Sequence, residues 1–194
     1  MTDAISPVDL RPAVARLADV AASVGDEQLD LPTPCPRYTV RDLLAHIDGL
    51  ALAFTLAATK DVPDDAGAPP AGPVPLDDGW RTRIRERLTA LGEAWQDPAA
   101  WDGMTRAGGI DMPGQIAGLV AIDEVVVHGW DLAKAVGAPF EPDEAAIGAA
   151  AAFAAMFTDE NRGDAFAPPV PVSPDAPALD HLIGAVGRDP AWSA

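Results

Sequence analysis

The chain has 194 residues, 48% of them apolar, and carries a formal net charge of −17. This is enough for one domain with a sizeable core, because a chain of this length buries roughly 70% of its unfolded surface. So acidic a surface repels phosphate backbones and anionic lipid heads, which argues against nucleic-acid and membrane partners.

Alanine supplies much of the apolar content, and alanine favours helix while filling little volume. With few aromatics and no long alternating runs, the fold expected is all-α. Cys35 is the single cysteine, so no intramolecular disulfide is expected. The start, MTDAISPVDLRP, lacks the basic and apolar stretches of a secretory leader. The longest apolar run, Ala145 to Phe157, is shorter than the ~20 residues of a membrane span. A cytoplasmic location is expected.

In chain order, Pro7 to Val24 reads as a first helix, with Leu10, Val14, Leu17 and Val20 at helical spacing and Pro12 in its first turn. Leu31 to Pro36 holds three alternate prolines and must be extended. Thr39 is placed to cap a second helix with Asp42 three positions inside it; Leu43, Leu44, Ile47, Leu50, Ala51 and Phe54 form its buried stripe. Asp61 to Pro75 reads as an exposed loop. Asp77 or Asp78 is expected to cap a third helix ending near Gln96, with Trp80, Ile84, Leu88, Leu91 and Trp95 inward and Arg81, Arg83, Arg85, Glu86 and Arg87 spread around the other side.

A short irregular link through Trp101 and Gly108-Gly109 is expected next. Pro113 then fits the first turn of a fourth helix that stops at Gly137. From Ile116 to Val127 this helix is apolar nearly all round, as for a helix enclosed by others. An Ala-rich fifth helix over Asp143 to Phe157, an extended Pro-rich stretch from Phe166 to Pro174 and a short helix over Ala176 to Val186 complete the chain. The first four helices suggest a four-helix bundle. Residues 1–140 are expected to form a metal-binding bundle on which 141–194 pack, within a single domain.

Glu124 and His128 are four residues apart on the fourth helix and project from one face. A carboxylate in so apolar a segment needs a partner or a proton. The imidazole one turn away could be that partner, or a cation could satisfy both. His46, between Leu43 and Leu50, also points inward. Two histidines and a carboxylate on facing helices suit a divalent transition metal. On spacing alone, most such pairs are helix-stabilising surface pairs, so the spacing suggests a metal site without deciding for it.

The segment Leu31-Pro-Thr-Pro-Cys-Pro-Arg-Tyr-Thr-Val-Arg-Asp-Leu-Leu-Ala-His46 resembles the first motif of the mycothiol-dependent maleylpyruvate isomerase N-terminal domain family, within the DinB-like superfamily. Asp123-Glu-Val-Val-Val-His-Gly-Trp-Asp-Leu-Ala133 resembles its second. Gly187-Arg-Asp-Pro-Ala-Trp192 is similar to the close of a short actinobacterial branch. The resemblance implies a DinB-like four-helix bundle holding a divalent metal, most often zinc with nickel or iron as alternatives, through His46, Glu124 and His128. It also implies an open coordination position for a low-molecular-weight thiol, mycothiol, and hence isomerase or S-transferase chemistry on an electrophilic substrate. The chain departs from the family at Arg37-Tyr38, where Gly-Trp is usual. The segment after the fifth helix is also too short for the C-terminal domain that completes the active site of maleylpyruvate isomerase itself.

Among other residues, Cys35 is a fourth ligand or redox thiol on one reading, and a small buried side chain on the favoured one. Asp131, seven residues beyond Glu124, reads first as a helix-surface acid, with acceptance of an imidazole N–H as the alternative. Asp48 and Asp123 point about 100° or more away from the adjoining ligands and read as solvated or capping neighbours. Trp130 is expected in the core and His181 on the surface, and Arg188 is expected to pair with an acid. A non-catalytic metal-binding sensor or interaction module, and a non-heme iron oxygenase, are the alternative functions. A homodimer is left open.

Overall fold

The structure is a computed structural model that describes residues 7–63, 76–158, 160–162 and 166–193. Most of the loop expected over 61–75 lies outside these. The described residues form six α-helices and one small antiparallel sheet: α1 (Arg11–Ser23), α2 (Val40–Thr59), α3 (Trp80–Ala94), β1 (Met104–Ala107), β2 (Ile110–Pro113), α4 (Gly114–Val136), α5 (Glu144–Ala154) and α6 (Ala178–Ala185). Two 3₁₀ turns, Asp26–Gln28 and Pro98–Trp101, connect elements.

α1 begins later than the apolar spacing predicts. Asp9 Oδ1 accepts the Arg11 backbone N–H at 2.9 Å, so the chain turns there and the helix starts after it, with Pro12 in the first turn. α2 starts as the sequence predicts. Thr39 Oγ1 accepts the Asp42 N–H at 3.3 Å, and the Asp42 carboxylate accepts the Thr39 N–H at 3.1 Å, closing a reciprocal cap. Before it, Pro32 bridges Thr39 and the Val40 N–H donates to the Leu31 carbonyl, so the Pro-rich segment folds back beside the helix. The Asp cap expected for α3 is displaced: Gly79 occupies the cap position without a side-chain bond, and Asp77, two residues earlier, accepts the Gly79 N–H through Oδ1. α5 and α6 are each shorter than expected; Asp143 caps α5 by accepting the Ala146 N–H.

α1 packs on α3 and α4, and α2 packs on α3 and α4, so each of the first four helices touches two others around one core. Leu17, Leu43, Leu44, Ile47, Leu88, Leu91, Ile122 and Leu132 are among its fully buried side chains. Trp95 and Trp101 donate their indole N–H groups to the Phe54 and Trp95 carbonyls, which satisfies the polar end of each buried ring. α4 is enclosed as its sequence predicts, and α5 packs on it with α6 against α5.

Two expectations need correction. The link after α3 is not irregular but a hairpin, in which Met104 pairs with Pro113 and Ala107 with Ile110. Its turn is Gly108-Gly109, both with positive φ, the backbone shape that suits the twist of a two-residue hairpin. Arg106 pairs with Asp111 across it at 2.7 Å, and the Thr105 hydroxyl donates to the Ala57 carbonyl of α2 at 2.6 Å. The second correction concerns α2, which is long and apolar enough to cross a membrane by length and composition; half of that stretch is buried inside the protein. His46 and Asp48 interrupt its apolar run, which is why counting uninterrupted residues passes over it.

Candidate metal centre

α2 and α4 run against one another and bring His46 and Glu124 together across 78 positions of chain. Glu124 Oε2 lies 3.3 Å from His46 Nε2 and 3.1 Å from His128 Nε2. One ligand-competent atom from each of the three residues lies within 4.8 Å of the others. All three sequence-predicted ligands therefore converge. His128 is buried, with its side chain 8% exposed, whereas His46 and Glu124 are 27% and 29% exposed. The group is thus anchored in the core on one side and reachable from solvent on the other.

Asp131 is fully buried, and its Oδ2 lies 3.0 Å from His128 Nδ1. The surface reading of this acid is therefore wrong. From His128 to Asp131 is three residues, so the carboxylate sits one turn along the same inward face, and a helix buried nearly all round has no solvent side at that position. With Nδ1 turned to Asp131, His128 presents Nε2 to Glu124, and that nitrogen can offer its lone pair to a cation once its proton is lost. Arg188 closes the chain of contacts, with Nη2 at 3.3 Å from Asp131 Oδ2 and Nε at 3.4 Å from Oδ1. Its expected pairing with an acid is met by Asp131.

Burial by itself would lower the His128 pKa, but the Asp131 hydrogen bond and the Glu124 carboxylate raise it to about 10. Burial would likewise raise Glu124, yet the bonds from His128 and His46 hold it well below the usual carboxylate range. Without a cation, the site is thus an ionised carboxylate beside an imidazolium. The donor set fits a divalent metal: two imidazole nitrogens and one carboxylate oxygen meet from two helices, and one imidazole is oriented through its other nitrogen.

The remaining candidates divide. Cys35 is 1% exposed, outside the ligand group, with its carbonyl accepting the Tyr38 N–H and the Thr33 hydroxyl. Asp48 is not solvated but buried between α2 and α3, 2.8 Å from Arg83 Nε and 3.0 Å from Arg87 Nη1. Arginines expected on the outer side of α3 therefore reach back to α2. Asp123 is 4% exposed, and its Oδ1 has no hydrogen-bond partner among the described residues. Burial first, then the charge of Glu124, pushes its carboxyl well above the usual range. Both acids are buried rather than solvated: Asp48 is met by α3, and Asp123 is enclosed in the core. Trp130 is buried and His181 exposed, as expected.

One site residue was not anticipated. The Tyr38 ring stacks on His46 at 5.1 Å between centroids and meets His128 edge-on at 6.2 Å. Burial raises its phenol pKa. The available signal was an aromatic residue immediately before the Thr39 cap, but only the folded path of the Pro-rich loop shows where its ring lies.

The family described as the mycothiol maleylpyruvate isomerase N-terminal domain matches residues 10–133. Proteins from two strains of Mycobacterium tuberculosis, each described as uncharacterized, are 29% identical over 174 residues, covering 88% of this chain and 91% of theirs. No solved structure matches the chain.

Proposed function

The chain belongs to the mycothiol maleylpyruvate isomerase N-terminal domain family, and from that premise we propose that it is a divalent-metal protein using a low-molecular-weight thiol, mycothiol, for isomerase or S-transferase chemistry. The observation that carries this is the convergence of His46, Glu124 and His128 within 4.8 Å. On this reading the ring formed by α1 to α4 is a DinB-like four-helix bundle, and residues 141–194 belong to the same domain. Zinc is the preferred ion, with nickel or iron as alternatives for two imidazoles and a carboxylate.

His46, Glu124 and His128 would hold the divalent cation, which would supply the Lewis acidity that favours loss of a thiol's proton. The protein's own part is to shape that site. Asp131 fixes the His128 tautomer, Tyr38 packs the plane of His46, and Glu124 contributes the negative charge that favours a cation over a proton. The greater exposure of His46 and Glu124 supports an approach of thiol and electrophile from their side.

Elemental analysis of purified protein, followed by cobalt substitution and titration with mycothiol, tests the proposal. A sulfur-to-metal charge-transfer band is expected, strengthening as pH rises towards the thiol pKa of ~8.5. A cobalt spectrum that stays unchanged with excess thiol across that range would rule out the thiol-dependent chemistry.

A further inference from the structure

We infer that Arg188 is a positioning residue for this metal centre: from the tail after α6 it fixes the Asp131 carboxylate that aims His128. Metal affinity would then depend on a segment beyond residues 10–133, the part matched by the family. The inference rests on the reading of His46, Glu124 and His128 as metal ligands.

Asp131 is completely buried and Arg188 is 10% exposed. The guanidinium meets the carboxylate through two nitrogens, one towards each oxygen, which sets the carboxylate plane rather than holding a single atom. Oδ2, the oxygen that Arg188 Nη2 meets, is also the one facing His128 Nδ1. An imidazole can rotate about its side-chain bonds, and a buried acceptor of fixed position selects one of those rotations. The selected rotation turns Nε2 towards Glu124. A carboxylate with no water to bond needs donors, and Arg188 supplies them from a position 57 residues away.

Arg188 is itself held in place. Its backbone N–H donates to the Ile183 carbonyl at 2.9 Å, and its Nη1 donates to the Val186 carbonyl at 3.2 Å. Gly187 turns the tail with φ of +81°, and a Cβ there would fall 2.6 Å from the Cβ of Ala167. The Val170 N–H donates to the Gly184 carbonyl at 2.9 Å, tying the Pro-rich stretch to the end of α6. The tail thus presents the guanidinium to α4 from a defined turn.

Cobalt(II) titration of the full chain decides the matter, read as affinity and as the visible ligand-field spectrum. Arg188→Met should weaken cobalt binding by about 10- to 100-fold, the usual cost of losing an outer partner of a ligating histidine, and should alter the spectrum. Because Arg188 acts through Asp131, the same substitution placed on Asp131→Asn should cause little further loss. That comparison also serves if Arg188→Met alone does not fold, since Asp131→Asn removes the buried charge left unpaired. Wild-type affinity and spectrum in Arg188→Met would overturn the inference, as would a full additional loss in the doubly substituted chain. A wild-type chain that takes up no cobalt would overturn the metal reading itself, and this inference with it.

Discussion

His46 Nε2 lies 3.3 Å from Glu124 Oε2, a contact that joins the first half of α2 to the middle of α4. Glu124 and His128 share one helix and would meet in any fold that keeps α4 intact. His46 arrives only through the packing of α2 on α4, so it is the residue through which the tertiary structure completes the donor set.

Replacing it gives the first prediction. His46→Ala should abolish stoichiometric metal retention, because the two remaining ligands on one helix form a weak chelate. The chain should remain folded, since Leu43, Leu44, Ile47 and Leu50 still bury their side chains. Elemental analysis alongside circular dichroism checks both parts, and an unchanged metal content would refute the ligand assignment.

The second concerns protons. A metal must displace the proton that His128 holds with its pKa raised to about 10, so uptake at neutral pH should release about one proton, and affinity should rise with pH. Calorimetry in buffers of different ionisation enthalpy reads the proton count. The metal-free protein should behave in the opposite sense. The raised His128 contributes stability that is full below its unfolded pKa of about 6.5 and is lost as pH climbs through about 10. The depressed Glu124 contributes above its unfolded value of about 4.3 and loses that contribution on acidification. Thermal melts of metal-free wild type should therefore fall between neutral and alkaline pH, and His128→Gln should flatten that fall.

The third concerns the entry to α2. Thr39 and Asp42 satisfy one another's backbone N–H groups at the helix start. Thr39→Ala should cost about 1 kcal/mol, the usual loss for a helix cap. Denaturant unfolding measures it, and an unchanged midpoint would show that the cap contributes nothing.

The fourth concerns partners. With a net charge of −17, the chain should show no specific DNA binding at physiological salt. Sequence-dependent retention in a gel-shift assay would contradict this.

The sequence by itself determined the helices, their main buried stripes, the Thr39 cap and the three candidate ligands. These depend on local periodicity and on short spacings within one helix, which a linear chain displays directly. It also displayed Gly108-Gly109, although the hairpin this pair turns is apparent only once Thr105 is seen bonded to α2. The surroundings of the ligands were decided by tertiary structure alone. An acid at helical spacing looks the same whether its face meets water or protein, so Asp48, Asp123 and Asp131 all read as surface groups. Packing gave Asp48 two arginines of α3 and shut Asp123 off from solvent, while Asp131 lies between His128 and an arginine 57 residues away. The ring of Tyr38 likewise reaches His46 only because the Pro-rich loop folds back beside α2. Burial of a polar group is a property of every element packed around it, and no spacing along one helix encodes those neighbours.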